Sequence, residues 1–317
     1  MELITVIITT HNRDRDLERA IESVFNQSYT NLELFVIDDN PTISTSIVVN
    51  KFKNQLKYVK SSKKGLCCSR NLGLDIANGN FVVFLDDDDE ILRDSIFKRK
   101  NFLDSLEENI KTKTAYIYSG CSLDIVNQKR TTYDMPLIYG NLSDSIKNGK
   151  IKTIPSTFLI NKVVLDKYNI RFDESFTSFV DHDFFMNLAA NNLHVYFVNE
   201  ALTKTYVFPT KNSMVNDVDK RLENIQRFFS KWNRTFNDLM ITTKFKKFKT
   251  NYISKEFSSL ILNSIIAKDL KSFFRIIFEI NKYRKGTRNL FLVIFKITVL
   301  NFTKHLIPSS LIKAFKN

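Results

Sequence analysis

The sequence predicts an α/β fold: a mainly parallel sheet flanked by helices, followed by a helical C-terminal region. Two observations carry this prediction. Short apolar runs rich in β-branched residues alternate with stretches of helical spacing, and this alternation stops after about residue 215. Parallel strands are buried on both faces and need such continuous apolar runs. Amphipathic stretches with one basic and one apolar face fill the rest of the chain.

The predicted elements follow one another in a βαβα order. Strands are predicted at residues 3–9, 32–37, 56–59, 81–85, 114–119, 156–160 and 194–198. Helices are predicted at residues 14–27, 44–52, 69–77 and 184–190. Ser69 is expected to cap the third helix, and Asn78-Gly79 to end it with a left-handed residue. In such a sheet, ligands bind at the carboxyl ends of the strands.

The end of the alternation predicts two domains, residues 1–210 and 211–317, and the charge of the chain is unevenly placed between them. The formal net charge is +13. Residues 202–317 hold 23 Lys or Arg and 7 Asp or Glu, a net charge of +16, so residues 1–201 are net −3. All the basicity belongs to the C-terminal third, which indicates an acidic partner for that part alone.

The cysteines and the apolar segments bear on the compartment. Cys67, Cys68 and Cys121 make an odd number without metal-ligand spacing, which predicts free thiols in a reducing cytoplasm. The first residues lack a basic region and a cleavage site, so they are interpreted as a core strand and not a signal peptide. The most apolar window, residues 290–300, contains Lys296 and is too short to predict a membrane span.

Four consecutive carboxylates, Asp86 to Asp89, follow directly on the apolar strand at residues 81–85. Like charges this close repel one another, and a hard divalent cation such as Mg²⁺ or Mn²⁺ prefers oxygen ligands and often bridges carboxylates to phosphates. The run therefore indicates a site for a nucleotide diphosphate with a metal. A solvated acidic turn, or Asp89 as the cap of a helix starting near Leu92, is the alternative.

Polar segments follow the ends of the neighbouring strands as well. Residues 9–13 (Thr-Thr-His-Asn-Arg) end the first strand and Asp38-Asp39 the second, while Arg70 lies at a predicted helix start. Helix N-termini and Arg favour phosphate, and Asp accepts hydrogen bonds from a base or a ribose. A nucleotide with a metal accounts for all of these segments together.

At these segments the chain resembles the family 2 glycosyltransferases, inverting enzymes with the GT-A fold. The matching segments are residues 6–13 (VIITTHNR), 37–41 (IDDNP), 69–74 (SRNLGL), 84–89 (FLDDDD) and 181–185 (DHDFF). Residues 154–160 and 171–176 resemble the acceptor-side segment of the family. The chain departs from the family pattern in four places: Thr9 replaces Pro, Asn40-Pro41 replaces Gly-Ser, Val180 replaces an acidic residue, and residues 206–210 lack the usual histidine.

The resemblance implies a role for each residue on the donor side. Asp39 binds the nucleotide base, in a pocket shaped by Thr9, His11, Asn12 and Arg13; alternatively it only caps the turn after its strand. Asp86 and Asp88 hold Mn²⁺ or Mg²⁺ on the diphosphate, with Asp87 beside the donor. Arg70 contacts the donor phosphate or braces the Asp cluster; a plain salt bridge is the alternative.

The resemblance also implies a general base, because inverting transfer must deprotonate the acceptor hydroxyl as it attacks the anomeric carbon. Asp181 is the expected base and Asp183 the alternative. Residues two apart on a helix point in different directions, so only one of them should face the donor. A capping role for Asp181 is the structural alternative.

The basic C-terminal region interleaves cations with aromatic residues, as in residues 244–249 (KFKKFK) and 282–285 (KYRK). Nucleic-acid binding, attachment to an anionic membrane surface and a solvated helical bundle all fit this pattern. Beside a glycosyltransferase domain, peripheral attachment to the inner face of the cell membrane is preferred, without nucleic-acid binding.

The function expected from the resemblance is inverting transfer of a sugar from a nucleotide-sugar, a UDP-sugar, to a hydroxyl of a bacterial surface glycan. The acceptor would be a glycan or a lipid-linked glycan. The alternatives are a nucleotidyltransferase, which gives no reason for a base on a separate helix, and a degenerate membrane-associated protein that only binds nucleotide-sugar or glycan.

Overall fold

The computed structural model describes residues 1–12, 14–126, 130–148, 154–207, 218–266 and 270–283. The chain divides into two units, Met1–Pro209 and Thr210–Asn317. The first is an α/β unit built on one sheet, which confirms the predicted fold class. In the second, all the described elements are helices.

The first half of the sheet is parallel throughout. Its strands lie in the order β3-β2-β1-β4, and all three pairings between them are parallel. Their bounds are β1 (Ile4–Thr10), β2 (Leu32–Asp38), β3 (Lys57–Lys60) and β4 (Phe81–Asp86). Every residue of β1 is buried, as a central strand with helices on both faces requires.

The second half of the sheet is mixed. It contains β5 (Asp89–Ile91), β6 (Thr114–Ile125), β7 (Arg130–Asp134), β8 (Gly140–Asn141), β9 (Phe158–Asn161) and β10 (His194–Val207). The order continues β4-β9-β6-β10-β5, with β7 on β6 and β8 on β10. Of the eight described strands on the main path, six run in one direction, while β9 and β5 run in the other.

Helices cover this sheet and join its strands. They are α1 (Asp14–Phe25), α2 (Ile43–Asn50), α3 (Leu66–Ile76), α4 (Ser95–Asp104), α5 (Glu108–Lys111), α6 (Leu142–Lys147), α7 (Lys162–Lys167) and α8 (Val180–Ala190), with a 3₁₀ turn at Pro155–Thr157. The core between helices and sheet is aliphatic and includes four fully buried side chains: Ile8, Leu17, Val36 and Val83.

Two predicted helix ends were wrong. Ser69 does not cap α3, because the helix begins at Leu66 after Gly65, whose φ of +111° is a glycine conformation. The helix ends at Ala77 in extended backbone, so Asn78-Gly79 is not a left-handed stop. The alternative role for Asp89 as a helix cap is also excluded, because Asp89 lies in β5 and the next helix begins at Ser95.

Gly73 brings α3 close to the sheet. A Cβ atom at this position would lie 2.7 Å from Ile7 Cδ1 and 3.1 Å from Ile37 Cδ1. The first distance is shorter than real Cβ contacts allow, so a side chain here would push the helix away from β1 and β2. The missing side chain therefore sets the spacing between helix and sheet one turn beyond Arg70.

The described part of the second unit consists of α9 (Val218–Lys231), α10 (Asn233–Leu239), α11 (Thr242–Ile266) and α12 (Leu270–Tyr283). Its core is aromatic: Phe236 stacks on Phe245 with ring centroids 5.0 Å apart, and Phe228 lies 6.2 Å from Tyr252. No helix in the described parts of the chain is long and apolar enough to cross a membrane. The window at residues 290–300 and the end of the basic segment at 282–285 lie outside the described residues.

Candidate active site

The carboxyl ends of β1, β2 and β4 lie side by side. In the register of the sheet, Thr9 is paired with Asp86 of β4, and Thr10 with Asp38 of β2. Since all three strands run in the same direction, the polar residues that follow them gather at one edge of the sheet. The predicted convergence of these segments is therefore observed.

The four consecutive aspartates differ in how far their side chains are buried. Asp86 and Asp88 are half-buried, whereas Asp87 and Asp89 are each only 4% exposed. Asp87 accepts a hydrogen bond from Thr10 Oγ1 at 2.7 Å and lies 3.4 Å from the backbone N–H of His11. The turn at residues 87–88 thus leaves the Asp86 and Asp88 side chains partly exposed, while Asp87 holds the end of β1.

Arg70 connects two carboxylates that are far apart in the sequence. Its Nη2 lies 3.0 Å from Asp86 Oδ1, and its Nη1 lies 2.6 Å from Asp181 Oδ1. The guanidinium is only 1% exposed and lies 5.5 Å from the centre of the Phe84 ring and 5.3 Å from that of Phe172. Burial lowers the pKa of Arg70, but the charges of Asp181 and Asp86 outweigh this effect, so its pKa is raised and it stays charged.

Asp181 and Asp183 have different surroundings on α8. The Asp181 side chain is 30% exposed and ion-paired to Arg70, whereas Asp183 is 1% exposed. Loss of solvent raises the pKa of Asp181, Arg70 opposes this effect, and the Asp86 charge adds to it; the pKa is raised overall. A raised pKa makes a carboxylate a stronger base.

The start of α8 is held in an uncommon backbone conformation. Phe179, the residue before the helix, has a φ of +66°, in the left-handed region that non-glycine residues seldom adopt. It lies two residues before Asp181, and its ring is 5.6 Å from that of His182. Backbone strain of this kind persists where the surrounding structure fixes the position of a residue.

The pKa of Asp89, the last carboxyl of the run, is strongly raised. Burial raises its pKa well above the ordinary value, the charges of Asp86 and Asp88 raise it further, and a hydrogen bond from Ser156 lowers it. The neutral form is therefore favoured relative to an exposed aspartate. Asp89 serves the fold beneath the site more readily than it serves as an anionic ligand.

Asp39 organises a second group of side chains at the loop after β1. Its Oδ1 lies 2.5 Å from His11 Nδ1, and its Oδ2 accepts from the backbone N–H of Gly65 at 2.7 Å. The carboxylate thereby ties the loop after β1 to the start of α3. His11 itself is 55% exposed and faces solvent, as a residue that lines a binding pocket would.

The remaining residues of the predicted base pocket are placed as follows. Thr9 is buried within β1. Asn12 is exposed and has a φ of +57°, a conformation that asparagine tolerates better than most residues. Arg13 lies outside the described residues.

The donor set suits a hard cation only in part. No group of three or more His, Cys, Asp or Glu side chains in the described parts of the chain could hold a metal ion. Asp86 and Asp88 nevertheless offer two partly exposed carboxylates in an Asp-x-Asp spacing. Mg²⁺ is commonly bound by one or two carboxylates plus substrate phosphates and water. The residues therefore fit a metal that arrives with a diphosphate, and not a cation cage made by protein alone.

A comparison with protein-family models identifies the chain. Residues 5–169 match the model described as glycosyl transferase family 2. This chain belongs to glycosyl transferase family 2. The match covers the segments that carry Asp39 after β2, Arg70 in α3 and Asp86 at the end of β4.

Two relatives of this family 2 chain, from Campylobacter jejuni and Escherichia coli, are named as glucosyltransferases of undecaprenol-linked sugars. It is 36% identical over 129 residues to the GalNAc(5)-diNAcBac-PP-undecaprenol beta-1,3-glucosyltransferase of Campylobacter jejuni, covering 39% of this chain and 40% of that protein. It is 33% identical over 151 residues to an uncharacterized glycosyltransferase of Haemophilus influenzae, covering 44% of this chain and 59% of that protein. The similarity thus spans about half the length of these relatives.

Solved structures support the fold. The family 2 chain aligns with residues 1–349 of TarS from S. aureus, crystallised with UDP-GlcNAc, at a TM-score of 0.54 and 20% identity. The alignment covers 90% of this chain and 92% of that one. This likeness confirms the predicted GT-A-like architecture.

The structure brings residues to the site that the sequence did not single out. Ser156, fully buried, has its hydroxyl 3.2 Å from the backbone N–H of Asp86. Arg19 donates to the Asp88 carbonyl oxygen at 2.8 Å, lies 2.9 Å from Glu90 and stacks on the Tyr206 ring at 4.0 Å. These residues come from a 3₁₀ turn, a helix and the end of β10, and only the pairing of strands could have revealed that they meet.

Proposed function

We propose that this protein is an inverting glycosyltransferase that moves a sugar from a UDP-sugar to a hydroxyl of a bacterial surface glycan. The observation that carries the proposal is the pair of ion pairs made by Arg70. One side chain holds both a carboxylate of the acidic run, Asp86, and a carboxylate on a separate helix, Asp181. In this arrangement Asp86 would lie beside the leaving diphosphate and Asp181 beside the acceptor hydroxyl, in one cleft.

Asp181 would act as the general base. As the acceptor oxygen bonds to the anomeric carbon, its proton passes to the Asp181 carboxylate, and the bond from that carbon to the UDP oxygen breaks with its electrons on the diphosphate. The raised pKa of Asp181 favours proton uptake. Asp183 remains the alternative, and its burial speaks against it.

Asp86 and Asp88 would hold Mn²⁺ or Mg²⁺ when the donor is bound. The metal would neutralise negative charge on the diphosphate. Arg70 keeps the Asp86 carboxylate in place, and Arg19 holds the backbone of Asp88 through its carbonyl oxygen. The protein thus contributes two fixed carboxylates and leaves the other ligand positions to the donor and to water.

The nucleotide would lie at the loop after β1. Asp39 would bind the base, with Thr9, His11, Asn12 and Arg13 around it and Asp87 beneath. Both Asp39 oxygens already accept hydrogen bonds, but a carboxylate has about four lone-pair positions and can accept more. TarS, similar in fold, was crystallised with UDP-GlcNAc, which supports a donor of this class.

The acceptor would be a glycan carried on a lipid, and the protein would work at the inner face of the cell membrane. The Campylobacter jejuni and Escherichia coli relatives are named as undecaprenol-linked glucosyltransferases, which supports such an acceptor. The C-terminal helices supply Lys and Arg for an anionic membrane surface, with aromatic side chains among them.

The decisive experiment is a screen of UDP-sugars with the full-length protein, read as UDP release with and without Mn²⁺. We expect release that EDTA abolishes, and loss of both UDP affinity and turnover in Asp88→Asn. Asp144→Asn, which changes a carboxylate that is 65% exposed on α6, is the matched control and should behave as wild type. Release of sugar 1-phosphate would indicate nucleotidyl transfer instead, because transfer of the UMP group from a UDP-sugar leaves the sugar phosphate behind. UDP binding without release of either product would indicate a degenerate binding protein.

A further inference from the structure

The C-terminal unit contains a groove that the proposed reaction does not use. It has a volume of about 590 Å³ and lies between α9 and α11, with the first residue of α10 at one end. Pockets that bind small molecules commonly fall in this size range. All of its lining residues belong to residues 225–253, so the groove is complete within one unit.

The groove has an apolar floor and a polar rim. Ile225, Phe229 and Ile253 form the floor and are at most 4% exposed. Three neutral polar residues, exposed to solvent, form the rim: Gln226, Ser230 and Asn233. A ligand that matches both parts must carry an apolar portion and a polar head.

Lys249 gives the groove its charge. The Lys249 ammonium lies 5.1 Å from the centre of the Phe229 ring and is half-buried. Burial lowers its pKa. No ion pair to Lys249 is found among the residues that the structure describes. Its neighbours Lys246 and Lys247 add positive charge at the surface of the same helix, so the polar head should be anionic.

We propose that this groove binds one amphiphile with a phosphate-ester head, with the phosphate at Lys249 and the first part of the apolar chain on the floor. Neutral rim groups can donate further hydrogen bonds to phosphate oxygens. The head could come from a bilayer phospholipid or from a polyprenyl phosphate, since both present a phosphate ester on an apolar chain. The site goes beyond general attraction to a membrane, because it is saturable, binds one molecule and depends on a single lysine.

The test uses the full-length protein and its single tryptophan, Trp232, which precedes Asn233 of the groove. Trp232 fluorescence is recorded while four ligands are titrated: dihexanoyl phosphatidylglycerol, dihexanoyl phosphatidylcholine, farnesyl phosphate and inorganic phosphate. The three amphiphiles are kept below their critical micelle concentrations. We expect saturable binding of the two anionic amphiphiles only. The tighter of the two identifies the source of the head group.

Matched variants assign the binding to Lys249. Lys249→Met keeps the aliphatic stem and removes the charge; it should weaken binding about tenfold or more, the value of a hydrogen bond to a charged group. Lys255→Met removes an exposed charge from the same helix, outside residues 244–249, and should have no effect, while Lys249→Arg should restore binding.

Several results would overturn the proposal: no saturable response to either anionic amphiphile, equal affinity for phosphatidylcholine, equal affinity for inorganic phosphate, or unchanged binding by Lys249→Met. If Lys249→Met does not fold, amide shifts of Ser230 and Asn233 in the wild-type protein decide, since ligand in the groove must move them. UDP release should be unaffected by all these variants, so failure of this proposal is separate from failure of the proposed transferase.

Discussion

The candidate site of the first unit and the groove of the C-terminal unit differ in how a buried positive charge is compensated. Arg70 is enclosed, and two carboxylates from distant parts of the chain compensate it. Lys249 is half-buried, and its neighbour among the described residues is an aromatic ring. The comparison teaches that a matched buried charge fixes the geometry of a site, whereas an unmatched one points to an anion from outside the chain.

The strongest test of this comparison is substitution of the proposed base. Asp181→Asn should lower turnover by a factor on the order of 10²–10⁴, the usual contribution of a general base, while UDP-sugar affinity changes little. Asparagine can still accept the Arg70 hydrogen bond, so the loss reports on chemistry more than on geometry. Turnover and UDP affinity are measured in parallel on the same protein.

Asp183→Asn is the control on the same helix. Because the Asp183 side chain is almost fully buried, this variant should change thermal stability more than turnover. An inactive Asp183→Asn beside an active Asp181→Asn would mean that the base was assigned two residues away from its true position.

Removal of the central cation should give the next largest effect. Arg70→Met leaves Asp86 and Asp181 without their partner, and loss of one member of a buried ion pair costs about 3–5 kcal/mol. Since both carboxylates are about a third exposed, we expect roughly 2–3 kcal/mol, or a fall in Tm of roughly 4–12 °C for a unit of this size. Thermal unfolding followed by circular dichroism measures this change.

Arg171 provides the matched arginine. It also bridges two carboxylates, Asp75 at 3.1 Å and Asp166 at 2.8 Å, but it is 31% exposed. Arg171→Met should therefore cost less than about 1 kcal/mol per ion pair. If both variants lower Tm equally, the enclosed position of Arg70 has no special importance.

A third prediction concerns the exposed cations of α11. Each Lys near an anionic membrane surface contributes about 1 kcal/mol, so Lys246→Gln with Lys247→Gln should weaken binding to anionic vesicles by roughly 30-fold at low salt. The difference should shrink at physiological ionic strength, where screening acts over about 8 Å. Co-sedimentation with phosphatidylglycerol vesicles measures it, and undiminished binding by the double variant would argue against membrane attachment through this helix.

The smallest expected effect is the pH dependence due to Asp89. Its folded pKa lies above its unfolded value, so protonated Asp89 stabilises the fold fully below the unfolded pKa, and this contribution is lost as pH rises through the folded pKa. Asp89→Asn imitates the neutral acid and should raise Tm at pH 8 more than at pH 4. An equal change in Tm at both pH values, or a larger one at pH 4, would contradict a raised pKa of Asp89 in the folded protein. Asp144→Asn is the control, because its carboxylate is exposed.

The sequence predicted the parallel half of the sheet well, because β1, β2 and β4 have local signals: β-branched runs bounded by polar strand ends. It did not predict that β10 continues to Val207, since the pairing of its last residues with β5 and β6 is a long-range event. The start of α3 was missed because Gly65, and not a polar cap, sets it.

The sequence predicted those parts of the site that come from one continuous motif. It did not predict contacts between residues that are far apart in the chain. Asp86 and Asp88 stand out in the sequence, but their exposure and the burial of Asp87 and Asp89 follow from the turn into β5. Nothing in the sequence indicates that Arg70 contacts Asp181, 111 residues away. The role of each residue in catalysis stays a prediction until the variants are measured.

The absent side chain of Gly73 has a consequence for the position of Arg70. Arg70 lies three residues earlier on the same helix, so any shift of that helix off Ile7 and Ile37 carries the guanidinium with it. Both of its bonds, to Asp86 and to Asp181, would then lengthen together. A side chain at position 73 would therefore disturb both ion pairs of Arg70 from a helix–sheet contact that touches neither carboxylate.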